Sequence, residues 1–289
     1  MLVGPNGAIK VSFLLLITYF CNTGLVNAEI IQQTLKNGVV ATAEFNQGEK
    51  NSPAILIQHG FLQTRQSSTV SRLYNALVDS DYTVLAPNLS LGISNRKQSL
   101  ACKAIHSHAM HSDIEEIELW SRWLHQKTSE KIILLGHSSG SVQLIAYLSH
   151  YPYEHINQGI FISLGYFGKA PGSYETKADG ERARSLLKQT SSSLDKYGLS
   201  FCKGYVTTPE KYLSYYEWQQ QKILGSMKKT KIPITVIIGS KDKRISKMWE
   251  KSMRNNGIKT LAIKGAGHFF DEAYEFELQD VIEATISNG

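Results

Sequence analysis

A serine with a glycine two positions to each side, Gly136-His137-Ser138-Ser139-Gly140, is the pattern in this chain best suited to chemistry. The apolar run at 131–135 before it reads as a strand, and the residues after it, to about position 150, read as a helix. A sharp strand-to-helix turn would lift the hydroxyl above a sheet and aim the helix N-terminus at it, where amides favour developing negative charge. Such a turn is crowded, so the flanking positions must lack bulk. A serine hydroxyl is a weak nucleophile at neutral pH; it needs a base, and the base needs a group to orient it. The strand at 234–238 leads into Ser240-Lys241-Asp242, and the strand at 259–263 leads into Gly265-Ala266-Gly267-His268. Each therefore delivers its group just past a strand's end, in the order Ser…Asp…His. His59-Gly60-Phe61 follows the run at 54–58, where an amide that binds an oxyanion would be expected.

Other groups compete for these roles. Asp179 and Asp195 have no strand before them, and Asp271 suits the N-cap of the last helix. His137 is expected to pack beside the turn and His59 to support the oxyanion loop. The segment HSHAMHSD (106–113) gathers His106, His108, His111 and Asp113. Its spacing approaches a metallohydrolase zinc signature, but Met110 stands where the ligating aspartate belongs, and Asp113 reads as the N-cap of a helix over 114–126. No metal is expected.

The elements that must position these groups alternate. A hairpin over 30–45 turns at Asn37-Gly38. Strands follow at 54–58, 82–86, 131–135, 159–164, 234–238 and 259–263, with helices at 69–79, 114–126, 139–150 and 272–287 between or after them. Continuous apolar strands separated by helices imply an α/β fold with a mostly parallel sheet covered on both faces. The stretch 166–230 breaks the pattern. It holds seven of the 14 tyrosines and no core-like strand, and Thr208-Pro209-Glu210 reads as a helix start. We expect a helical cap insertion lying over the sheet edge.

At these residues the chain resembles the α/β-hydrolase superfamily over nearly all of 29–289. The resemblance implies Ser138 as nucleophile, His268 as base and Asp242 as the acid, with the amides of Phe61 and Ser139 as the oxyanion hole. It also implies a cap inserted before the acid-bearing strand. Many relatives carry an aspartate-arginine-glycine loop after the strand equivalent to 82–86; this chain has Pro87-Asn88-Leu89-Ser90-Leu91-Gly92.

Composition bounds the rest. The 289 residues are 42% apolar, which excludes a disordered chain. A net charge of +6 without a concentrated basic face argues against nucleic-acid binding. Lys10, the apolar run 11–20 and Val26-Asn27-Ala28 read as a secretory signal over 1–28, too short in its apolar part to span a bilayer. Phe20 before Cys21 argues against lipidation. An exported, periplasmic or secreted protein without a stable membrane anchor is expected, leaving Cys102 and Cys202 as either a disulfide or two separate thiols. The expected function is cofactor-free serine hydrolysis of a small-molecule carboxylic ester, as in carboxylesterases or lipases. An amide or thioester hydrolase, and a non-catalytic ligand-binding protein on the same fold, are the alternatives.

Overall fold

The computed structural model describes residues 28–288. Its centre is an eight-stranded sheet built from β1 (Glu29–Thr34), β2 (Val40–Asn46), β3 (Ala54–Gln58), β4 (Thr83–Asn88), β5 (Ile132–His137), β6 (Ile156–Ile162), β9 (Ile234–Gly239) and β10 (Lys259–Ile263). The order is β1-β2-β4-β3-β5-β6-β9-β10. Pairing is antiparallel from β1 to β2 and from β2 to β4, and parallel across the other six strands. The fold class is thus α/β with a mostly parallel sheet. β3, β4 and β5 are buried along their whole length, as their mostly apolar sequences favour.

Helices cover both faces. α1 (Ser68–Asp79) and α8 (Tyr274–Ser287) bury Val70, Leu73, Leu278 and Ile282 against Ile55, Ile133 and Ile237 on one face. α2 (Met110–Thr128), α3 (Ser139–His150) and α7 (Lys247–Asn255) bury Trp120, Tyr147 and Trp249 against Leu56, Leu134 and Val236 on the other. Successive strand residues face opposite sides, so one strand feeds two cores.

The segment between β6 and β9 differs from expectation in two ways. Besides α4 (Lys177–Lys188), α5 (Pro209–Tyr216) and α6 (Gln220–Lys229) it contains an antiparallel hairpin, β7 (Asp195–Leu199) with β8 (Cys202–Thr207). Lysines, glycines and polar turn residues broke the hairpin's periodicity, so its strands did not announce themselves. The segment also lies across the helices after the central strands rather than over the sheet's edge: α5 contacts α2 and α6 contacts α3. Thr208 is the N-cap of α5 with Pro209 at its first position, as read from sequence.

Two helix starts also differ. Asp113 is inside α2, whose N-cap is Ala109, with Ser112 Oγ accepting from the Ala109 amide. Asp271 lies before α8, whose N-cap is Ala273, and pairs instead with Arg72 at 3.3 Å. No helix among the described residues is long and apolar enough to cross a membrane. Lys10, Cys21 and the processing segment lie outside the described residues.

Candidate active site

Ser138 is the residue between β5 and α3, held at φ 57° and ψ −123°. That backbone is strained for a side chain with a Cβ, at a cost of about 1–3 kcal/mol, and persists only where its surroundings dictate it. The surroundings are close. A Cβ on Gly136 would lie 2.8 Å from the Ser141 backbone, and one on Gly140 would lie 2.5 Å from the carbonyl oxygens of Gln58 and His59. The two glycines let α3 press against β5 and the end of β3, which fixes the turn.

β9 ends at Gly239 and the following turn carries Asp242; β10 ends at Ile263 and its loop carries His268. The three converge. His268 Nδ1 lies 2.8 Å from Asp242 Oδ2 and His268 Nε2 lies 3.1 Å from Ser138 Oγ. Asp242 and His268 are 6% and 9% exposed, so the pair is sheltered from water while the serine edge stays accessible. Burial acts to raise the Asp242 pKa, but hydrogen bonds from His268, the Arg244 amide and Ser163 outweigh it and hold the carboxyl below its ordinary value. The group therefore stays ionised, as a partner that orients an imidazole must.

The loop after β3 adjoins this centre: a Cβ on Gly60 would stand 3.6 Å from Ser138 Cβ. Among the described residues, the amides of Phe61 and Ser139 have no hydrogen-bond acceptor. His59 braces the loop from beneath. Its Nδ1 donates to the Gly60 carbonyl at 2.9 Å, while its Nε2 accepts from the Leu89 amide at 3.1 Å and from Arg96 at 3.2 Å. Burial and the Arg96 charge press the His59 pKa down to about 3, so it stays neutral. The buried Arg96 also donates to the carbonyls of Leu89, Gln98 and Gln63. The clamp holds Leu89, within the 87–92 segment that stands in place of the aspartate-arginine-glycine loop of many relatives. His137 is buried and donates from Nε2 to the His268 carbonyl at 3.0 Å, which positions the loop that holds His268.

The other candidates fall elsewhere. Asp179 and Asp195 pair with Arg182, on the face of α4. His106, His108 and Asp113 are buried under the β7–β8 hairpin, while His111 is exposed. His106 stacks on Tyr205 with ring centroids 4.0 Å apart. Tyr205 donates to His108 Nε2 at 3.1 Å, His108 Nδ1 donates to the Tyr215 oxygen at 2.6 Å, and Tyr215 donates to Asp113. These histidines thus dock the hairpin and α5 on the body of the protein. No set of three metal-ligating side chains occurs among the described residues. Most tyrosines of the 166–230 segment do packing work: Tyr197, Tyr212 and Tyr216 form a stacked column. Cys102 and Cys202 form a disulfide. It ties the loop before α2 to β8, next to Phe201.

Three residues of the site belong to no motif in the sequence. Ser163 directly follows β6, the strand beside β5, and its Oγ donates to Asp242 Oδ2 at 2.9 Å; the strand expected over 159–164 hid it among core positions. Phe201 and Arg244 line the cleft over Ser138 and His268, together with Tyr166, Phe167, Val142 and Ile245. The cleft is narrow, about 60 Å³.

A family model described as alpha/beta hydrolase fold matches residues 53–173. The chain has the α/β-hydrolase fold. Among solved structures, an esterase of Pyrococcus furiosus is similar at a TM-score of 0.62 and 16% identity, covering 91% of each chain. An α/β hydrolase from a Penicillium species, GrgF, is similar at 0.66 and 11%, covering 91% of this chain and 97% of that one. Est1E from Butyrivibrio proteoclasticus is similar at 0.65 and 14%, covering 89% and 98%. At these identities the hydrolase fold is what is shared. No curated protein matches the chain by sequence.

Proposed function

We propose that this hydrolase-fold protein is a serine esterase that cleaves small-molecule carboxylic esters through an acyl-enzyme. The observation that carries this is the unbroken line Asp242 Oδ2, His268 Nδ1, His268 Nε2, Ser138 Oγ, with both steps within hydrogen-bond reach. Ser138 Oγ attacks the ester carbonyl while His268 Nε2 takes its proton, and Asp242 stabilises the imidazolium in the required orientation. The amides of Phe61 and Ser139 receive the oxyanion, each donor contributing about 10²–10³ in rate. Collapse expels the alcohol, protonated by His268. Water, deprotonated by the same imidazole, then releases the acid and restores Ser138. The narrow, mostly apolar cleft favours a slim acyl chain.

A fluorophosphonate probe with intact-mass readout tests the assignment. One adduct on Ser138, absent from Ser138→Ala, is expected, together with loss of ester turnover in that variant with the fold intact. Undiminished turnover by Ser138→Ala overturns it. An amide and thioester panel run beside the esters assigns the bond type.

We propose further that 1–28 is a cleaved secretory signal and that the protein is exported. The Cys102–Cys202 disulfide supports an oxidising compartment. N-terminal sequencing of exported protein should begin at Glu29; a start at Met1 refutes cleavage.

A further inference from the structure

We propose that Arg244 reads an anionic group on the substrate, so that the preferred esters carry a carboxylate or a comparable negative charge near the scissile bond. This deepens the esterase reading and rests on it. Arg244 follows Asp242 by two residues, and its own amide donates to Asp242 Oδ1 at 2.8 Å, which fixes where the side chain starts. The guanidinium lies over the ring of Phe269, 5.1 Å from its centroid. Phe269 in turn stands edge-on to His268 at 5.0 Å and 90°. The cation is thus set on an aromatic platform against the base itself.

Three features separate Arg244 from an ordinary solvated arginine. It lines the same cleft as Ser138 and His268, whose other lining residues are apolar side chains, glycines and serines, with no carboxylate among them. It has no ion-pair partner among the described residues, whereas Arg65, Arg72, Arg122, Arg182 and Arg254 all have one within 4 Å. And its guanidinium makes no hydrogen bond among the described residues, whereas that of Arg96 is committed to buried carbonyls. A weakly hydrated, planar fork over a ring suits bidentate capture of a carboxylate, and a cleft with no competing acid concentrates its field.

The test compares p-nitrophenyl hemisuccinate and hemiglutarate with neutral esters of matching chain length, and 4-acetoxybenzoate with phenyl acetate. The two pairs place the charge on the acyl and on the alcohol side. Wild-type kcat/KM should favour the anionic member of at least one pair by about tenfold, as one charge-assisted contact would give. Arg244→Gln should erase that ratio, Arg244→Glu should invert it, Arg244→Lys should retain part of it, and added salt should compress it. Fluorophosphonate labelling rates of each variant report whether the active centre is formed. Labelled enzymes with ratios unaffected by Arg244→Gln and Arg244→Glu, or a wild type that favours the neutral esters, overturn the proposal while leaving the esterase standing. Absence of labelling and turnover in wild type overturns both.

Discussion

Ser163 Oγ donates to Asp242 Oδ2 at 2.9 Å, the same oxygen that faces His268 Nδ1. Ser163 is fully buried, and its hydroxyl faces two acceptors, the nearer being Asp242 Oδ2 and the other the His268 carbonyl at 3.2 Å. One carboxylate oxygen thus receives two donors, and the serine holds it in line with the imidazole. Ser163→Ala should lower kcat about tenfold with KM little changed, given the worth of a hydrogen bond to a charged acceptor. A raised KM at constant kcat would mean that Ser163 shapes the cleft instead.

Asp242→Asn keeps the size of the side chain but removes its charge, leaving His268 without its orienting carboxylate. We expect kcat to fall by about 10³–10⁴. The same carboxyl links acid sensitivity to the site. Its folded pKa lies below the ordinary value of 3.8, so the stability it contributes is complete above that pH and is lost as pH falls through the lower folded value. Acid-unfolding curves of Asp242→Asn should be flatter than wild type below about pH 4.

Glu116 carries the opposite sign. Burial in α2 pushes its pKa up to about 7, against the pull of hydrogen bonds from the Ser90 hydroxyl and amide. An acid with a raised folded pKa is favoured protonated, so folding stability falls as pH rises from 4.5, its ordinary value, to about 7. Glu116→Gln should remove that decline, worth roughly 3 kcal/mol at most. Chemical denaturation at pH 5 and pH 8 measures it; equal slopes in both proteins would show that the carboxyl ionises freely where it sits.

Gly140→Ala should destroy the site by packing alone. Its methyl would meet two backbone carbonyl oxygens at 2.5 Å, which only displacement of α3 or of the loop at 58–60 relieves. Fluorophosphonate labelling should fall by more than about a hundredfold, because a shift of an ångström misaligns nucleophile and base. Labelling at the wild-type rate would show that the elbow tolerates a wider gap.

Removing the Cys102–Cys202 bridge by paired serine substitution opens a loop with a sequence separation of 100. The chain-entropy account puts the loss at up to about 4–5 kcal/mol, with measured values often smaller. Because Phe201 next to Cys202 lines the cleft, KM should rise severalfold with kcat less affected. Unchanged KM alongside a lowered Tm would limit the bridge to stability.

The parallel sheet and the helices flanking it were legible because continuous apolar runs leave few alternatives once helical stripes separate them. Ser138, Asp242 and His268 were legible because each follows a strand, so the topology itself aims them at one place. Asp113 and Asp271 resemble N-caps in sequence because an acid before an apolar stripe suits that place, but Tyr215 and Gln143 draw Asp113 inward and Arg72 draws Asp271 aside. The β7–β8 hairpin stayed hidden because its pairing is sustained by distant partners, namely Cys102, Ile105 and His106, rather than by its own periodicity. Ser163 and Arg244 act through contacts that only the assembled fold creates.

The left-handed backbone of Ser138 has a consequence for the life of the chain before it folds. A conformation that costs energy on its own cannot be held by β5 and α3 until the carbonyls of Gln58 and His59 have closed over Gly140. The base and its orienting acid arrive from more than a hundred residues downstream. The Ser138 hydroxyl therefore gains its imidazole partner only once the chain around position 268 has folded back onto the end of β5.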